Sequence, residues 1–382
     1  MKILHVMTGL DPKWGGVYRV LLGLVNVQKR NNEVAILTTC ENDRQPPKDI
    51  SGVRQTCLKI RSHYQFSFRM KQTIENLIPQ YELVHIHGLW MFPLSYAAAC
   101  ARRANIPYVY HIHGMLNPWP LKHHAIRKQI YAQFWERSNL NHAVSIICVT
   151  QHEERSVQAF HVAAPTTIIP NGIDLSELEN LSVKGRFRSK HPEIAQKFLV
   201  LFLGRIHPKK GIDLLIKGFH KFFNRFHQTQ LLIAGPEEDK NYAKNLKKLV
   251  ADYRLEKAVT FLGSIFGEEK KELLVDANLF ALPSHDEVLS IALLEAMASG
   301  LPVVATQECS FDEIESKQAG FLIRYDENEL AQAMIRIAGD EWMANRMGIN
   351  GKNLILARYN WDVIGKQIET LYQEVLQTHS RS

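Results

Sequence analysis

Two carboxylates, Glu287 and Glu295, stand eight positions apart in HDEVLSIALLEAMASG (His285–Gly300), a segment that otherwise looks like core. On one continuous helix they would lie about 80° apart, so a shared charged helix face explains them poorly. LFALPS reads as a strand and HDE as a loop. A helix is expected to begin near Leu289 or Ser290 and to run to Ser299, with Gly300 as its stop. Glu287 then belongs to the loop and Glu295 to the helix. The amides of Leu289, Ser290 and Ile291 fall between the acids at the positive helix end, which suits a phosphate or a polarised oxygen. One acid can meet a sugar and the other a ribose, with the phosphate bound between them.

Other loops carry complementary chemistry. Arg205 follows the apolar run FLVLFLG, and Lys209 and Lys210 follow in IHPKKG. A guanidinium and an ammonium at one strand end suit a diphosphate, through bidentate hydrogen bonds and a point charge respectively. Near the start, GLDPKWGGVYRV places Gly15 and Gly16 before an apolar helix, where backbone amides can approach a phosphate closely. The pattern is not GxGxxG, and no GxxxxGK[ST] occurs. His85, His87, His111 and His113 end two further apolar runs, each pair at i, i+2 on one strand face. They could in principle ligate a transition ion, but no cysteine or carboxylate accompanies them at ligand spacing, so no metal site is expected. One or two are expected to bind a ligand while the others pack or stabilise loops.

These loops need a scaffold. Short apolar runs bounded by turn signals alternate with segments of helical spacing, such as GIDLLIKGFHKFFNRFH, where Ile212, Leu215, Ile216, Phe219, Phe222 and Phe223 share a face. Near-continuous apolar strands between amphipathic helices imply parallel sheets covered on both sides, here twice over in 382 residues. The expectation is two doubly wound α/β domains, with the seam near residue 190 in a polar, turn-rich stretch. Ligands of such sheets bind beyond the carboxyl ends of the strands.

Composition excludes several classes. Five scattered cysteines without a CxxC pair argue against a disulfide framework or structural zinc, and for a reducing cytoplasmic setting. No run approaches 18 apolar residues, and the start lacks a secretory h-region. A net charge of +7 favours an anionic partner, with basic clusters at ARRAN and LKHHAIRKQ. Nucleic acid is not expected, for want of an aromatic-interleaved basic groove.

Taken together, EVLSIALLEAMASGLPVVA, GRIHPKKG, LLIAGP, VTFLGSI and IIPNGID, with the glycine loop and the HIHG runs, resemble the retaining glycosyltransferases of the GT-B fold, family 4, and in particular members that assemble bacterial exopolysaccharide. The resemblance covers nearly the whole chain. It implies two Rossmann-like domains facing a central cleft: an acceptor domain over 1–190, a nucleotide-sugar domain over 191–361 and a final helix, 362–382, crossing back to the first. Domain closure on binding is expected of this architecture.

It further implies that Gly15 and Gly16 offer amides to the donor diphosphate, with Arg205 and Lys210 neutralising it. Glu295 would bind the ribose, and Glu287, Leu289, Ser290 and Ile291 the sugar. Gly263, Ser264 and Ile265 would flank the base, and His113 would stand beside the transferred sugar. The implied reaction is metal-independent and needs no cofactor. It moves a sugar, glucose first, from a UDP-sugar to an oligosaccharide or lipid-linked glycan, with peripheral contact to an anionic membrane, and the family is similar to enzymes proposed to react by front-face internal return. The family's Gly-Phe-Gly is Val288, Leu289 and Ser290 here, so donor preference does not carry over. A nucleotide-sugar epimerase of the same fold and a non-catalytic nucleotide-sugar-binding module are the alternatives.

Overall fold

The computed structural model describes residues 1–10, 15–41, 50–60, 68–122, 125–175 and 183–380. Part of the first glycine loop, part of the LKHHAIRKQ cluster and part of the polar seam lie outside the described residues. The chain divides into two compact units, Met1–Gly172 with Trp361–Ser382, and Ile173–Asn360.

The first unit holds a seven-stranded sheet in the order β3-β2-β1-β4-β5-β6-β7. Its strands are β1 (Lys2–Met7), β2 (Glu33–Glu41), β3 (Arg54–Ile60), β4 (Leu83–His87), β5 (Tyr108–His111), β6 (Ser145–Cys148) and β7 (Thr166–Ile168). All pairings are parallel. One sheet face packs Leu4, Val6, Val84, Ile86, Tyr108 and Tyr110 against Met70, Ile74, Leu94 and Ala98 of the neighbouring helices. The other face turns His5, His85, His87 and His111 inward. The helix Gly16–Gln28 supplies Gln28 to it, and the helix Trp361–His379 supplies Tyr372. These two helices meet closely. A methyl group on Gly23 would overlap the Trp361 indole, and one on Gly365 would crowd Val27.

The second unit holds a six-stranded parallel sheet ordered β10-β9-β8-β11-β12-β13. Its strands are β8 (Phe198–Leu203), β9 (Thr229–Ala234), β10 (Val259–Gly263), β11 (Leu279–Leu282), β12 (Val303–Thr306) and β13 (Gly320–Ile323). The helix Ile212–Phe223 buries Ile212, Leu215, Ile216, Phe219 and Phe222 completely, each worth about 1.5–3 kcal/mol relative to exposure. Phe223, placed on the same face by its spacing, is only partly buried.

Three expectations are corrected. The units divide between Gly172 and Ile173, not near residue 190. The reason lies in Arg188, whose guanidinium donates to the carbonyls of Asp276, Ile194, Ala195 and Lys197 and to Asn278 Oδ1, while Asp276 accepts from its backbone amide at 3.0 Å. A polar segment that reads as a linker is thereby tied into the second unit. β3 escaped the apolar-run reading because RQTCLKI, at the sheet edge, opens on three polar residues and has neither a continuous apolar run nor a regular alternation. Cys40 and Cys57 are joined as a disulfide between β2 and β3, their Cα atoms 5.9 Å apart. They stand two register positions apart on adjacent parallel strands, Cys57 opposite Thr38 and Cys40 opposite Lys59, a proximity that a one-dimensional scan for CxxC spacing cannot see. Among the described residues no helix is long and apolar enough to cross a membrane.

Candidate functional site

In the second sheet β8 is flanked by β9 on one side and β11 on the other, so the strand order reverses between β8 and β11, where open α/β sheets bind ligands. The loop after β8 carries Arg205, Lys209 and Lys210; the loop after β11 runs from Pro283 to Ser290. The two are stitched together, with the His285 amide donating to the Lys209 carbonyl at 2.8 Å. Gly211 makes the close approach possible. Its φ of +63° lies in the left-handed region, and a methyl group there would collide with the Pro283 carbonyl.

Lys210 forms an ion pair with Glu287, the side chains only 13% and 12% exposed, and Lys209 lies 3.4 Å from Asp286. Burial pushes the Glu287 carboxyl up, but the charges of Lys210 and Lys209 and the hydrogen bond from Lys210 outweigh it and hold the group below the usual carboxylate range. The helix that follows is Ile291–Ala298, capped by the Ser290 hydroxyl, which accepts from the Leu293 amide at 3.4 Å. Glu287 lies in the loop and Glu295 in the helix, as the spacing predicts.

Glu295 is not alone. Lys270, from the helix Gly267–Asp276, reaches it at 2.9 Å with both groups nearly buried. Sequence reasoning missed this partner because GEEKKELL resembles a solvated charged face. On the edge strand, Gly263 ends β10 at a register shift with φ +71°, and its carbonyl accepts from the Gly235 amide at 2.7 Å; Ile265 beyond it is buried and Ser264 exposed. Arg205 is engaged elsewhere: one guanidinium nitrogen donates to both Glu238 oxygens, at 2.8 and 2.7 Å. The structure thus joins Lys210 to Glu287 and Lys270 to Glu295, and gives Arg205 a separate, half-exposed partner.

In the first unit, Gly15 caps the helix Gly16–Gln28 at φ +59°, with open space where a side chain would be. The order of the first sheet likewise reverses between β1 and β4, and there the histidines gather. His5 Nε2 lies 2.7 Å from Gln28 Oε1, His5 Nδ1 2.9 Å from His87 Nε2, and His87 Nδ1 3.2 Å from His113 Nε2. His85 Nδ1 meets the Tyr372 hydroxyl, His85 stacks on His87, and His111 stacks on His113. Burial holds every one of these imidazoles neutral, His5 pushed down to about 4 and His113 to about 3, with His85, His87 and His111 well below the usual range.

His113 itself has φ +52°, an uncommon left-handed conformation held by its surroundings: the next amide, Gly114, donates to the buried Glu153. Glu136 does similar work for Trp90 (φ +71°), accepting from its amide at 3.1 Å and from Ser95 at 2.6 Å; burial pushes its carboxyl up to about 7 despite those bonds. His5, Gln28 and Glu136 went unrecognised in the sequence. Each sits in an apolar run or an amphipathic helix, and only the strand register groups them.

Comparison with known proteins supplies the chemical class. Residues 14–177 match the family model Glycosyltransferase Family 4, and residues 183–354 match Glycosyl transferases group 1. An uncharacterized glycosyltransferase of Methanocaldococcus jannaschii is 27% identical over 404 residues, covering 100% of both chains. The GDP-mannose:cellobiosyl-diphosphopolyprenol alpha-mannosyltransferase of Xanthomonas campestris is 24% identical, covering 97% of this chain and 96% of its own. Among solved structures, Anabaena HepE in complex with UDP-glucose superposes with a TM-score of 0.81 at 21% identity, covering 98% of this chain and 100% of its own. Two parallel-sheet α/β units, family matches in each half and glycosyltransferase relatives over the full length converge on one assignment: the chain is a glycosyltransferase of the GT-B fold.

Proposed function

We propose that this glycosyltransferase is a retaining enzyme that moves a sugar, glucose first, from a UDP-sugar to an oligosaccharide or lipid-linked glycan acceptor in the assembly of a cell-surface polysaccharide. The observation that carries the reading is the pair of acids flanking a capped helix N-terminus, each with its own lysine, at the strand-order reversal of the second sheet. In this reading Glu295 takes the ribose hydroxyls. Glu287 and the amides of Leu289, Ser290 and Ile291 hold the sugar, and Gly263, Ser264 and Ile265 border the base. Gly15 and Gly16 offer amides to the diphosphate, and His113 faces the transferred sugar. UDP-glucose as donor is supported by the HepE complex; a polyprenol-linked acceptor is supported by the Xanthomonas relative, whose own donor is GDP-mannose.

Departure of the anomeric carbon leaves negative charge on the diphosphate. Lys210, Arg205 and the aligned helix amides neutralise it, the role a divalent ion plays in other phosphate sites, so the reaction is read as metal-independent. Lys210 is paired with Glu287 and Arg205 with Glu238 before the donor arrives, so binding exchanges a carboxylate partner for a phosphate at each cation. Loss of either cation is expected to lower turnover by about 10²–10³.

An acceptor at the membrane surface is supported by a ridge in the first unit. Ile126, Ile130 and Phe134 recur at i, i+4, i+8 and are 74%, 54% and 68% exposed, beside Trp135 and the cations Arg127 and Lys128. Flotation with anionic vesicles should carry the protein, and Phe134→Ser with Trp135→Ser should release it; flotation unchanged in the double variant removes the ridge from the reading.

The test of the donor site is a thermal-shift panel of UDP, GDP, ADP and their sugar conjugates on the protein and on Glu295→Ala. A UDP-selective rise that shrinks in the variant supports the assignment. A response to GDP alone moves the donor to GDP-mannose, and no nucleotide response defeats the reading. NMR of the donor incubated without acceptor separates transfer from epimerisation.

A further inference from the structure

The contacts among Gln28, His5, His87 and His113 form a continuous line of single hydrogen bonds whose direction is set at one end. Gln28 Oε1 is a carbonyl oxygen and can only accept, so His5 Nε2 carries the proton. A neutral His5 then has a bare Nδ1, which must accept from His87 Nε2–H across 2.9 Å. His87 Nδ1 is bare in turn and accepts from His113 Nε2–H across 3.2 Å. His113, also neutral, is left with a bare Nδ1. We propose that Gln28, His5 and His87 are positioning residues that lock His113 in the Nε2–H tautomer, so that it presents Nδ1 as a hydrogen-bond acceptor for a hydroxyl of the transferred sugar.

Three features support a relay over independent packing. His5 and Gln28 are 0% and 3% exposed and His87 2%, so water does not compete for these nitrogens. Each imidazole is neutral by burial, which leaves one proton per ring and makes the order of donors unique. Stacking of His87 on His85 (4.1 Å between centroids) and of His113 on His111 (3.9 Å) fixes the ring planes. The nitrogens of His87, His111 and His113 also lie within 4.8 Å of one another, near enough for a transition ion. The relay, however, occupies the facing lone pairs of His5 and His87 with protons. The role of the bare Nδ1 rests on the proposed placement of His113 beside the sugar; the tautomer itself does not.

Two-bond proton–nitrogen correlation spectra of the full chain labelled with ¹⁵N-histidine test it directly, with His113 assigned by the missing signal in His113→Asn. The expected result is a neutral His113 with a pyrrole-like Nε2 and a pyridine-like Nδ1. Gln28→Met, which removes the terminal acceptor at similar volume, should give a mixture of tautomers, and Gln28→Glu, which keeps an acceptor, should restore the single form. With sugar donor and acceptor, Gln28→Met should lower kcat about tenfold with KM unchanged, and Gln28→Glu should recover it.

A protonated Nδ1 on wild-type His113 overturns the proposal, because it means the amide of Gln28 is reversed and the relay runs the other way. So does a Gln28→Met spectrum identical to wild type, or zinc retained at one equivalent with histidine shifts of metal ligation. A locked tautomer together with full activity in His113→Asn would confirm the relay and defeat the placement of His113 at the sugar.

Discussion

The buried pair Lys270–Glu295 gives the sharpest quantitative test. At 2.9 Å and an effective dielectric near 20, the attraction is about 6 kcal/mol before the loss of hydration at each ion is subtracted. The side chains are only 6% and 9% exposed, so that loss is large and the pair as a whole contributes little net stability. Removing one partner is a different matter. Lys270→Met keeps the stem's volume but leaves a nearly buried carboxylate without its cation, which should destabilise the second unit by about 3–5 kcal/mol. For a unit of residues 173–360 that is about 6–20 °C in its Tm, read by scanning calorimetry of the full chain. Lys270→Met with Glu295→Leu should recover most of the loss, since both charges leave together. A single variant within about 1 kcal/mol of wild type, the range of exposed ion pairs, refutes the argument from burial; so does a double variant no better than the single.

The neutral histidines predict acid sensitivity of the first unit. Their folded values lie below the ordinary one, so the unfolded chain binds more protons, and stability present above about pH 6.5 falls as pH drops. His5 alone, going from 6.5 to about 4, accounts for about 3 kcal/mol by pH 4; urea titrations at stepped pH should show the midpoint falling from 6.5 downward, and a flat profile contradicts it. Reducing the disulfide Cys40–Cys57, which spans 17 residues, should remove about 3 kcal/mol, seen as a lower Tm in dithiothreitol and absent in the double serine variant. Gly211→Ala should destabilise more than Gly300→Ala. Both demand a positive φ from alanine, about 1–2 kcal/mol, but only the former also drives a methyl group into the Pro283 carbonyl.

Much of the architecture was legible in the residues, because alternating apolar strands and amphipathic helices have few solutions other than parallel sheets. The loop and helix placement of Glu287 and Glu295 followed from Gly300 and the polar HDE alone. What escaped was pairing across distance. Lys270 and Glu238 read as surface charge until the fold sets one beside Glu295 and the other beside Arg205. His5 reads as part of an apolar strand until its register opposite His85 puts it in contact with His87. Arg188 reads as linker polarity until its guanidinium finds the carbonyls around Asp276. Each miss is a partner determined by topology, and local spacing carries no record of it.

The packing of Trp361 onto Gly23 bears on how the protein is made. The first sheet's histidine-bearing face is closed by the helix Trp361–His379, whose Tyr372 meets His85. A ribosome synthesises that helix only after all of residues 173–360. The second unit's residues are therefore all made while the first, begun earlier, still has its histidine-bearing face covered only in part, by the helix Gly16–Gln28. Order of synthesis and order of completion are reversed, and a released chain truncated at residue 360 should hold a finished second unit and a first unit that binds chaperones.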